Sequence, residues 1–342
     1  MKKIFSTKTV LITGGTGSLG KALVQSILSG KMGEPRKVIV FSRDEAKQHQ
    51  MRLKYANIHH ATDEIIYNNS KRMLEFRIGD VRDYHSVLSA LQGVDIVINA
   101  AAMKQVPTCE YFPSEAFATN VQGAVNIVQA ITENNLQVQK VLCVSTDKAC
   151  KPVNVYGMTK SIQERVFINA NLLNRKTSFV CVRYGNVLAS RGSVIPLFKK
   201  QIENGGLITI TSKEMTRFWL PMNEALRTIF TALAQAKPGE TYIPKIRSSK
   251  IVDLAKVLAK KVNIKIKTIG VRPGEKVHEV LVSEEEVERT YNFRDYLVIQ
   301  PVLPELRQKS PGAKVKREYS SKDSLMSLKE LKSFLKEQQL MS

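Results

Sequence analysis

Short runs of consecutive apolar residues alternate with amphipathic stretches along the first half of the chain. The runs are Val10–Thr13, Val38–Phe41, Leu74–Ile78, Ile96–Asn99, Val141–Ser145 and Phe179–Val182. Continuous apolar runs of this kind are typical of strands buried on both faces of a parallel sheet. The stretches Leu19–Ser29, Pro113–Asn134 and Met158–Asn171 carry apolar residues at helical spacing. The alternation predicts an α/β fold, a Rossmann-like doubly wound parallel sheet covered by helices.

The pattern changes after Tyr184, where glycines, prolines and shorter elements appear. Strands are predicted at Leu207–Thr211 and Thr241–Ile243, and helices at Ile251–Val262 and Ser327–Gln338. We therefore expect residues 1–185 to form mainly a dinucleotide-binding Rossmann domain. Residues 186–342 should form mainly a smaller α/β substrate-binding lobe, with the chain crossing between the two.

Composition excludes several classes of protein. The chain has 342 residues, of which 43% are hydrophobic and 24% charged, so it can form a sizeable core and is not a disordered chain. No apolar run approaches the roughly 20 residues of a membrane-spanning helix, and the first residues lack the apolar region of a signal peptide. The four cysteines form no CxxC pair or metal-ligand spacing. These features predict a cytoplasmic protein with reduced thiols and no metal site.

The chain is strongly basic, with a formal net charge of +21. The excess is concentrated in residues 141–250, which carry 17 basic and six acidic side chains. Such a field attracts polyanions or a small anionic substrate, and the alternative interpretation is that the lysines serve solubility alone. Nucleic acid binding would be favoured by a basic stripe with interleaved aromatic residues, and the sequence has none. We therefore expect no nucleic acid partner.

A glycine-rich turn directly follows the first predicted strand. Gly14, Gly17 and Gly20 have the spacing of a phosphate-binding turn that opens a helix. In such turns the glycines allow a sharp bend, a close backbone approach to a pyrophosphate and tight helix–strand packing. The helix then offers free N–H groups to the anion. The predicted dinucleotide contacts here also include Thr16, Ser18 and Leu19, and a tight turn without ligand is the less favoured alternative.

The ends of the next strands indicate which dinucleotide is bound. Ser42, Arg43 and Lys47 could hold a 2′-phosphate, which favours NADP, whereas Asp44 keeps NAD possible. Asp80 and Val81 follow the third strand, where the adenine is expected. The small residues after the fourth strand would let the cofactor lie against the backbone, and they are Ala100, Ala101 and Ala102.

Tyr156 and Lys160 form a YxxxK pair at the start of a predicted helix. Residues four apart share one helix face. A phenol has a pKa near 10, and an adjacent ammonium and a nicotinamide cation should lower the pKa of Tyr156. Tyr156 could then take a proton from a hydroxyl while a hydride leaves. An exposed helix start is the alternative, and the upstream glycine turn makes it less favoured.

The motifs together resemble the extended short-chain dehydrogenases/reductases, through TGGTGSLG, NAAA, YGMTK and RYGNV. A closer resemblance, to the UDP-N-acetylglucosamine 4,6-dehydratases, rests on motifs that run in order from Gly14 to about residue 300. These motifs are FSRDE, GDVRD, AAMKQVP, STDKA, RYGNV, SRGSVIPLF, MTRFW and RPGEK. The C5-inverting enzymes that open pseudaminic acid biosynthesis are the most similar group.

The resemblance implies roles for the STDKA motif. A sugar 4,6-dehydratase oxidises C4, eliminates water across C5 and C6, and returns the hydride to C6. Asp147 is expected to be the acid for the 6-OH, and Lys148 the group that takes the C5 proton. Lys148 must then be neutral, so its pKa should be lowered by the cofactor and Lys160. Thr146 should hydrogen-bond the sugar O4 or the tyrosine.

The resemblance also implies a set of further contacts. Val187 is expected beside the cofactor, and Lys104 and Asn186 beside the sugar or diphosphate. Arg217 and Arg272 suit diphosphate recognition, because a guanidinium matches phosphate oxygens. Glu275 should accept hydrogen bonds from ribose hydroxyls. The remaining expected contacts, with the nucleotide, are Arg191, Gly192, Ser193, Val194 and Thr209.

Three functions stay open at the level of sequence. The favoured one is an NADP-dependent C5-inverting UDP-N-acetylglucosamine 4,6-dehydratase, for which the resemblance implies a homo-oligomer, a dimer or hexamer. The second is a C5-retaining dehydratase or a UDP-sugar epimerase, although simple epimerisation needs no Asp147–Lys148 pair. The third is a basic regulator or nucleic acid binder without enzymatic activity, which the complete set of Asp147, Lys148, Tyr156 and Lys160 makes improbable.

Overall fold

A large, mostly parallel sheet organises the computed structural model, which describes residues 3–56, 73–188, 194–205, 207–259, 265–309 and 312–341. The strands that lead to the site are β1 (Thr9–Thr13), β2 (Lys37–Ser42), β3 (Leu74–Ile78), β4 (Ile96–Asn99), β5 (Lys140–Thr146) and β6 (Ser178–Tyr184). They pair in the order 3-2-1-4-5-6 and are parallel throughout. This is the strand order of a dinucleotide-binding sheet, and it confirms the predicted Rossmann-like fold.

The remaining strands lie in the second half of the chain. They are β7 (Asn186–Val187), β8 (Ile208–Ile210), β9 (Thr216–Leu220), β10 (Thr241–Pro244), β11 (Ser248–Lys250), β12 (Ile266–Thr268), β13 (Val280–Val282), β14 (Thr290–Phe293), β15 (Tyr296–Ile299) and β16 (Tyr319–Ser320). Strands β10, β15 and β14 extend the main sheet beyond β6, so the described residues give it nine strands. The others form three small sheets, β11-β9-β7, β12-β8 and β13-β16.

Helices cover both faces of the main sheet. They are α1 (Ser18–Leu28), α2 (Glu45–Ala56), α3 (Tyr84–Leu91), α4 (Val106–Tyr111), α5 (Pro113–Phe117), α6 (Gly123–Glu133), α7 (Val155–Leu173), α8 (Val194–Glu203), α9 (Met222–Gln235), α10 (Ile251–Ala259), α11 (Glu284–Val287) and α12 (Leu328–Glu337). Side chains of α1 and α9 bury one face of the sheet, and those of α3, α6 and α7 bury the other. A third apolar cluster joins α8, α10 and α12 to β8 and β9.

The long helix predicted over Pro113–Asn134 is interrupted by a π-helical turn at Ala118–Gln122, between α5 and α6. The turn buries Asn120, whose side-chain amide binds the backbone of Met103 at N and O (2.8 and 2.9 Å) and the Thr159 hydroxyl (3.0 Å). Insertions of this kind are frequent at functional sites. Asn120 thus ties the loop that carries Lys104 to α7.

The C-terminal segment is docked on the molecule rather than extended. Helix α12 begins with a capping box between Ser327 and Glu330 and buries Leu331 and Leu335 in the third cluster. The predicted helix Ile251–Val262 corresponds to α10, which is described to Ala259, and its last predicted residues lie outside the described part. Within the described residues, no helix is both long and apolar enough to cross a bilayer.

Candidate active site

The site lies where the strand order reverses, between β1 and β4. In open parallel sheets of this type, ligands bind outside the carboxyl ends of the strands at this reversal. The glycine turn follows β1, Ala100 to Ala102 follow β4, and Asp147 and Lys148 follow β5. The fold therefore brings the predicted cofactor turn and the predicted catalytic residues to one edge of the sheet.

The glycine turn has no space for side chains at two positions. Gly14 has φ +66°, and a Cβ on it would lie 2.9 Å from the Cα of Ala101. A Cβ on Gly20 would lie 2.5 Å from the carbonyl oxygens of Gly14 and Gly15. Helix α1 begins directly after Gly17, so the first amides of the helix, including those of Ser18 and Leu19, face the turn without intrahelical partners. This geometry fits a bound pyrophosphate.

Two exposed cations, Arg43 and Lys47, follow β2 together with the acid Asp44, which is paired with Lys47. The side chain of Arg43 is 64% exposed and lies 3.7 Å from the Asp80 carboxylate. Asp44 accepts a hydrogen bond from the backbone N–H of Lys47 (2.9 Å) and pairs with its ammonium, and this contact lowers the pKa of Asp44. The Ser42 hydroxyl accepts a hydrogen bond from Thr16 (3.2 Å). Asp44 is therefore bound to the start of α2, while the Arg43 guanidinium stays open to solvent.

The residues expected to contact the adenine and the nicotinamide are held in place by contacts within the protein. Asp80 is held by Arg82 through two hydrogen bonds of 2.9 and 2.7 Å. Val81 is buried, and its side chain would clash with a Cβ on Gly123 (2.9 Å). The N–H of Ala101 donates to the Thr13 hydroxyl (3.1 Å), and Val187 pairs with Leu220 in the small β7–β9 ladder.

A short 3-10 turn at Asp147–Ala149 joins the catalytic candidates to α7. The Asn154 side chain caps α7 by accepting from the N–H of Gly157 (2.8 Å). A Cβ on Gly157 would lie 2.2 Å from the carbonyl oxygen of Lys148. Glycine at 157 is therefore what allows the start of α7, with Tyr156, to touch the turn that carries Lys148.

Burial raises the pKa of Tyr156 to about 12, although Lys148 and a hydrogen bond with Thr146 oppose this shift. The expectation of a lowered pKa is therefore wrong for the protein chain itself. The Lys160 ammonium donates hydrogen bonds to the carbonyl of Val144 (2.6 Å) and to the amide oxygen of Gln163. Burial also lowers the pKa of Lys160.

Asp147 is fully buried and adjoins Lys148. Its Oδ1 accepts from the Thr146 hydroxyl (3.0 Å) and from the Lys148 ammonium (3.1 Å). Its Oδ2 is buried without a hydrogen-bond partner among the described residues. Burial and the nearby Glu279 raise the pKa of Asp147, which favours its protonated form and agrees with the expected role as an acid.

Lys148 differs from the expectation. Burial lowers its pKa, but Asp147 and Glu279 outweigh burial and raise the pKa above its ordinary value. The protein's own carboxylates therefore oppose the predicted lowering: Asp147 adjoins Lys148, and Oε1 of Glu279, which the sequence analysis did not anticipate, lies 3.3 Å from the ammonium. Asn186 Oδ1 also lies 3.5 Å from the Lys148 nitrogen, so this predicted sugar contact is in the same cluster.

The predicted substrate contacts occupy two different environments. The pKa of Lys104 is lowered, first by partial loss of solvent and then by repulsion from Lys148, so the two cations are close enough to interact. Arg217 is buried, donates to the carbonyls of Thr216 (2.7 Å) and Val277 (3.3 Å), and lies 3.6 Å from Glu279. Arg272 is exposed, whereas Glu275 keeps a buried Oε2 without a hydrogen-bond partner among the described residues.

The remaining predicted nucleotide contacts lie in the second half. Thr209 in β8 exchanges hydrogen bonds with Gln201 of α8 (2.9 and 3.2 Å), so its polar groups are already paired. Val194 is the first residue of α8 and packs against the third apolar cluster. Arg191, Gly192 and Ser193 lie outside the described residues. Within the described residues, no group of His, Cys, Asp and Glu side chains could hold a metal ion.

The residue that sequence reasoning missed is Glu279. It is a buried carboxylate that contacts both Lys148 and Arg217. The one available signal was its place directly before the apolar strand β13, seven residues after Arg272 of the RPGEK motif, where a carboxylate needs a buried partner. Asn120 was also missed, because the amphipathic pattern around it indicated an uninterrupted helix.

Fold and site together define a nucleotide-binding protein of the short-chain dehydrogenase/reductase type. A family model described as "Polysaccharide biosynthesis protein" matches residues 10–301, and the chain belongs to this family. It is 43% identical over 303 residues to a UDP-N-acetylglucosamine 4,6-dehydratase (inverting) of Campylobacter jejuni, covering 88% of this chain and 85% of the relative.

Two further similarities extend the comparison. A UDP-glucose 4-epimerase of Rickettsia conorii is 44% identical over 298 residues, which cover 86% of this chain and 83% of the relative. Among solved structures, Pen from Bacillus thuringiensis superimposes with a TM-score of 0.87 at 36% identity and covers 98% of this chain and 99% of that one. Dehydratase and epimerase names thus both occur among close relatives.

Proposed function

We propose that this protein is an NADP-dependent UDP-N-acetylglucosamine 4,6-dehydratase that inverts C5. Its product would be UDP-2-acetamido-2,6-dideoxy-β-L-arabino-hexos-4-ulose. The observation that carries the proposal is the Asp147–Lys148 pair, which follows β5 and lies near Tyr156. An epimerase needs a hydride carrier and a proton carrier at O4, but no acid–base pair for C5 and the 6-OH. The similarity to an inverting dehydratase over most of both chains supports the same function.

The pair supplies both groups that elimination requires. With the cofactor bound, its nicotinamide would accept the hydride of C4 and later return it to C6. Tyr156, hydrogen-bonded to Thr146, would take the proton of the 4-OH. Transfer of one proton from the Lys148 ammonium to Asp147 Oδ1, 3.1 Å away, would convert the ion pair into a neutral amine and a neutral acid. Burial favours this neutral pair, because it disfavours both charges.

Elimination would then restore the ion pair. The Lys148 amine takes the C5 proton, which the 4-ketone has acidified, and becomes an ammonium again. Asp147 gives its proton to the 6-OH, so water leaves and the carboxylate is regenerated. The pair then has the charges that it had before the reaction. Return of the hydride to C6 would leave an enolate, which takes a proton from solvent at C5 on the opposite face. Tyr156 releases to solvent the proton that it took from the 4-OH, so no net proton is gained or lost.

The test is the ¹H NMR spectrum of UDP-N-acetylglucosamine incubated with the purified protein in D₂O. We expect a new C6 methyl signal, deuterium at C5 and ring couplings of the inverted sugar. A C6 methyl product that retains the configuration at C5 would contradict the inversion but not the dehydration. UDP-N-acetylgalactosamine as product would replace the dehydratase by a 4-epimerase, and an unchanged substrate with cofactor bound would exclude both for this sugar.

The cofactor preference is the next part of the proposal. The exposed Arg43 guanidinium supports NADP, since Asp44 is already paired with Lys47. We predict that Arg43→Ala weakens NADP binding about tenfold and NAD binding less than threefold, because a charged hydrogen bond to the 2′-phosphate is lost. Fluorescence titration of cofactor-depleted protein would measure both affinities. Lys54→Ala, at an exposed position further along α2, is the matched control, and equal losses for NADP and NAD would contradict the assignment.

We also propose that the protein is a homo-oligomer, at least a dimer, assembled through α5 and α7. Large apolar side chains are exposed on and beside these two adjacent helices. They are Tyr111 (83%), Phe112 (57%), Phe117 (48%), Met158 (47%) and Ile162 (45%). A patch of this kind is typical of an interface. Light scattering should give at least twice the mass of one chain, and Phe117→Asp should reduce it, whereas a monomeric wild-type protein would refute the assembly.

A cytoplasmic role in surface-glycan synthesis, with pseudaminic acid as the favoured end product, completes the proposal. All four cysteines are buried free thiols, which suits a reducing compartment. The product, a 4-keto-6-deoxy sugar nucleotide, is a substrate for aminotransfer at C4.

A further inference from the structure

Glu279 is a second carboxylate in contact with Lys148, besides Asp147. Its Oε1 lies 3.3 Å from the ammonium, and Asp147 Oδ1 lies 3.1 Å from it. The Glu279 side chain is 2% exposed and the Lys148 side chain 19% exposed. The ammonium is therefore in contact with two buried carboxylates, one from the turn after β5 and one from the residue before β13.

The C-terminal segment fixes Glu279 in place. The N–H of Ser321 donates to the Glu279 carbonyl (2.8 Å), and the Glu279 N–H donates to the Ser321 hydroxyl (3.0 Å). The Ser320 hydroxyl donates to the same carbonyl (3.3 Å), and β16 pairs with β13 directly beyond it. The backbone of Glu279 is thus held by residues close to the end of the chain, which docks through α12.

One oxygen of each carboxylate remains available. Glu279 Oε2 and Asp147 Oδ2 are buried and have no hydrogen-bond partner among the described residues. Buried polar atoms are rarely left unpaired without a functional reason, because desolvation costs free energy. The two oxygens belong to the two acids that contact the same lysine, so the unpaired atoms mark this cluster rather than a packing defect.

We infer that Glu279 is a positioning residue for the Lys148 amine: it fixes the nitrogen and stabilises the positive charge that Lys148 gains when it takes the C5 proton. This inference rests on the proposed dehydratase function. Glu279 would act through Lys148 and not on the sugar. It would also give the C-terminal segment a role in the reaction, since Ser320 and Ser321 hold its backbone.

The charges around Lys148 determine the sign of the expected effect. The groups that face it are the carboxylates of Asp147 and Glu279, the phenol of Tyr156, and the cations of Lys104, Arg217 and Lys276. Without the Glu279 charge, Asp147 is the one carboxylate among these groups that raises the pKa of Lys148, while burial and the three cations lower it. The pKa of Lys148 should then fall, so the amine loses its proton at lower pH and becomes a weaker base.

The experiment compares wild type, Glu279→Gln, Glu279→Asp and Glu284→Gln. The last variant makes the same change at an acid whose side chain is 74% exposed, and it serves as the control. The first readout is independent of turnover: the rate at which acetic anhydride labels Lys148 is measured by peptide mass spectrometry across pH, with exposed Lys54 as internal reference. The second is the pH profile of kcat and KM with UDP-N-acetylglucosamine.

In Glu279→Gln we expect the labelling midpoint of Lys148 and the ascending limb of kcat to move to lower pH by about one unit or more. The maximal kcat should fall at least tenfold, while KM and cofactor content change less. Glu279→Asp, whose carboxylate is one methylene shorter, should lie between wild type and Glu279→Gln in both readouts, and it carries the test if the glutamine variant does not fold.

Two results separate the inference from the proposed function. Unshifted labelling and an unshifted kcat limb in the variants would overturn the role of Glu279, even in an active dehydratase. A wild type that does not dehydrate the sugar, together with a shifted labelling midpoint, would refute the dehydratase and its C5 step while keeping Glu279 as the group that positions Lys148.

Discussion

Replacement of Lys148 by methionine should lower the dehydration rate by about 10²–10⁴-fold, the range that a positioned proton-transfer group contributes. Methionine removes the amine that takes the C5 proton and the ammonium that faces both Asp147 and Glu279. The 4-keto intermediate could still form through Tyr156, but elimination would have no base. The rate is measured by the C6 methyl signal, and bound cofactor is measured after denaturation.

A second replacement separates the base from the charge. Lys148→Arg keeps a cation between the two carboxylates, but a guanidinium does not lose its proton in proteins. We therefore expect it to be as inactive as Lys148→Met while retaining more of the wild-type stability. Lys151→Met, at an exposed lysine of the same turn region, should keep near-wild-type turnover. Substantial activity in Lys148→Arg would falsify the assignment of Lys148 as the C5 base.

Replacement of Arg183 by methionine should lower the free energy of unfolding by about 3–5 kcal/mol, because it leaves buried charges without their partner. Arg183 is 4% exposed and joins β6 to α7 and α11. It lies 2.6 Å from Glu164 and 2.7 Å from Glu286. Urea denaturation measures the loss. The control is Arg227→Met, which breaks an exposed pair with Glu224 and should cost about 1 kcal/mol or less.

The same cluster predicts a pH dependence. Burial raises the pKa of Glu286, but Arg183 outweighs it and lowers the pKa to about 2, from an ordinary value of 4.5. A carboxyl whose pKa is lower in the folded protein stabilises the fold at pH values above its pKa in the unfolded chain. This contribution is lost as the pH falls through the pKa that the carboxyl has in the folded protein. The difference in the free energy of unfolding between wild type and Arg183→Met should therefore narrow as the pH falls from 4.5 to about 2. A constant gap over this range would argue against the ion pairs as its source.

Local patterns predicted most of the fold because they depend on neighbours in sequence. Six runs of apolar residues became parallel strands, and Leu74–Ile78 and Ile96–Asn99 have the predicted bounds. The spacing of Gly14, Gly17 and Gly20 is confirmed as a tight turn before a helix, since the required backbone geometry and missing side chains are local properties. The break in the helix at Ala118–Gln122 was missed, because the amphipathic pattern is much the same on both sides of a π turn.

Sequence by itself determined the strand ends that carry Asp147 and Lys148 and the helix start that carries Tyr156 and Lys160. Tertiary structure decided the proton affinities of these groups. The pKa of Tyr156 is raised by burial. The pKa of Lys148 is raised by the adjacent Asp147 and also by Glu279, a carboxylate far away along the chain. Electrostatic energies depend on distance and burial in space. Glu279 contacts Lys148 from a segment that pairs with β16, far from Lys148 along the chain, and no local pattern encodes that contact.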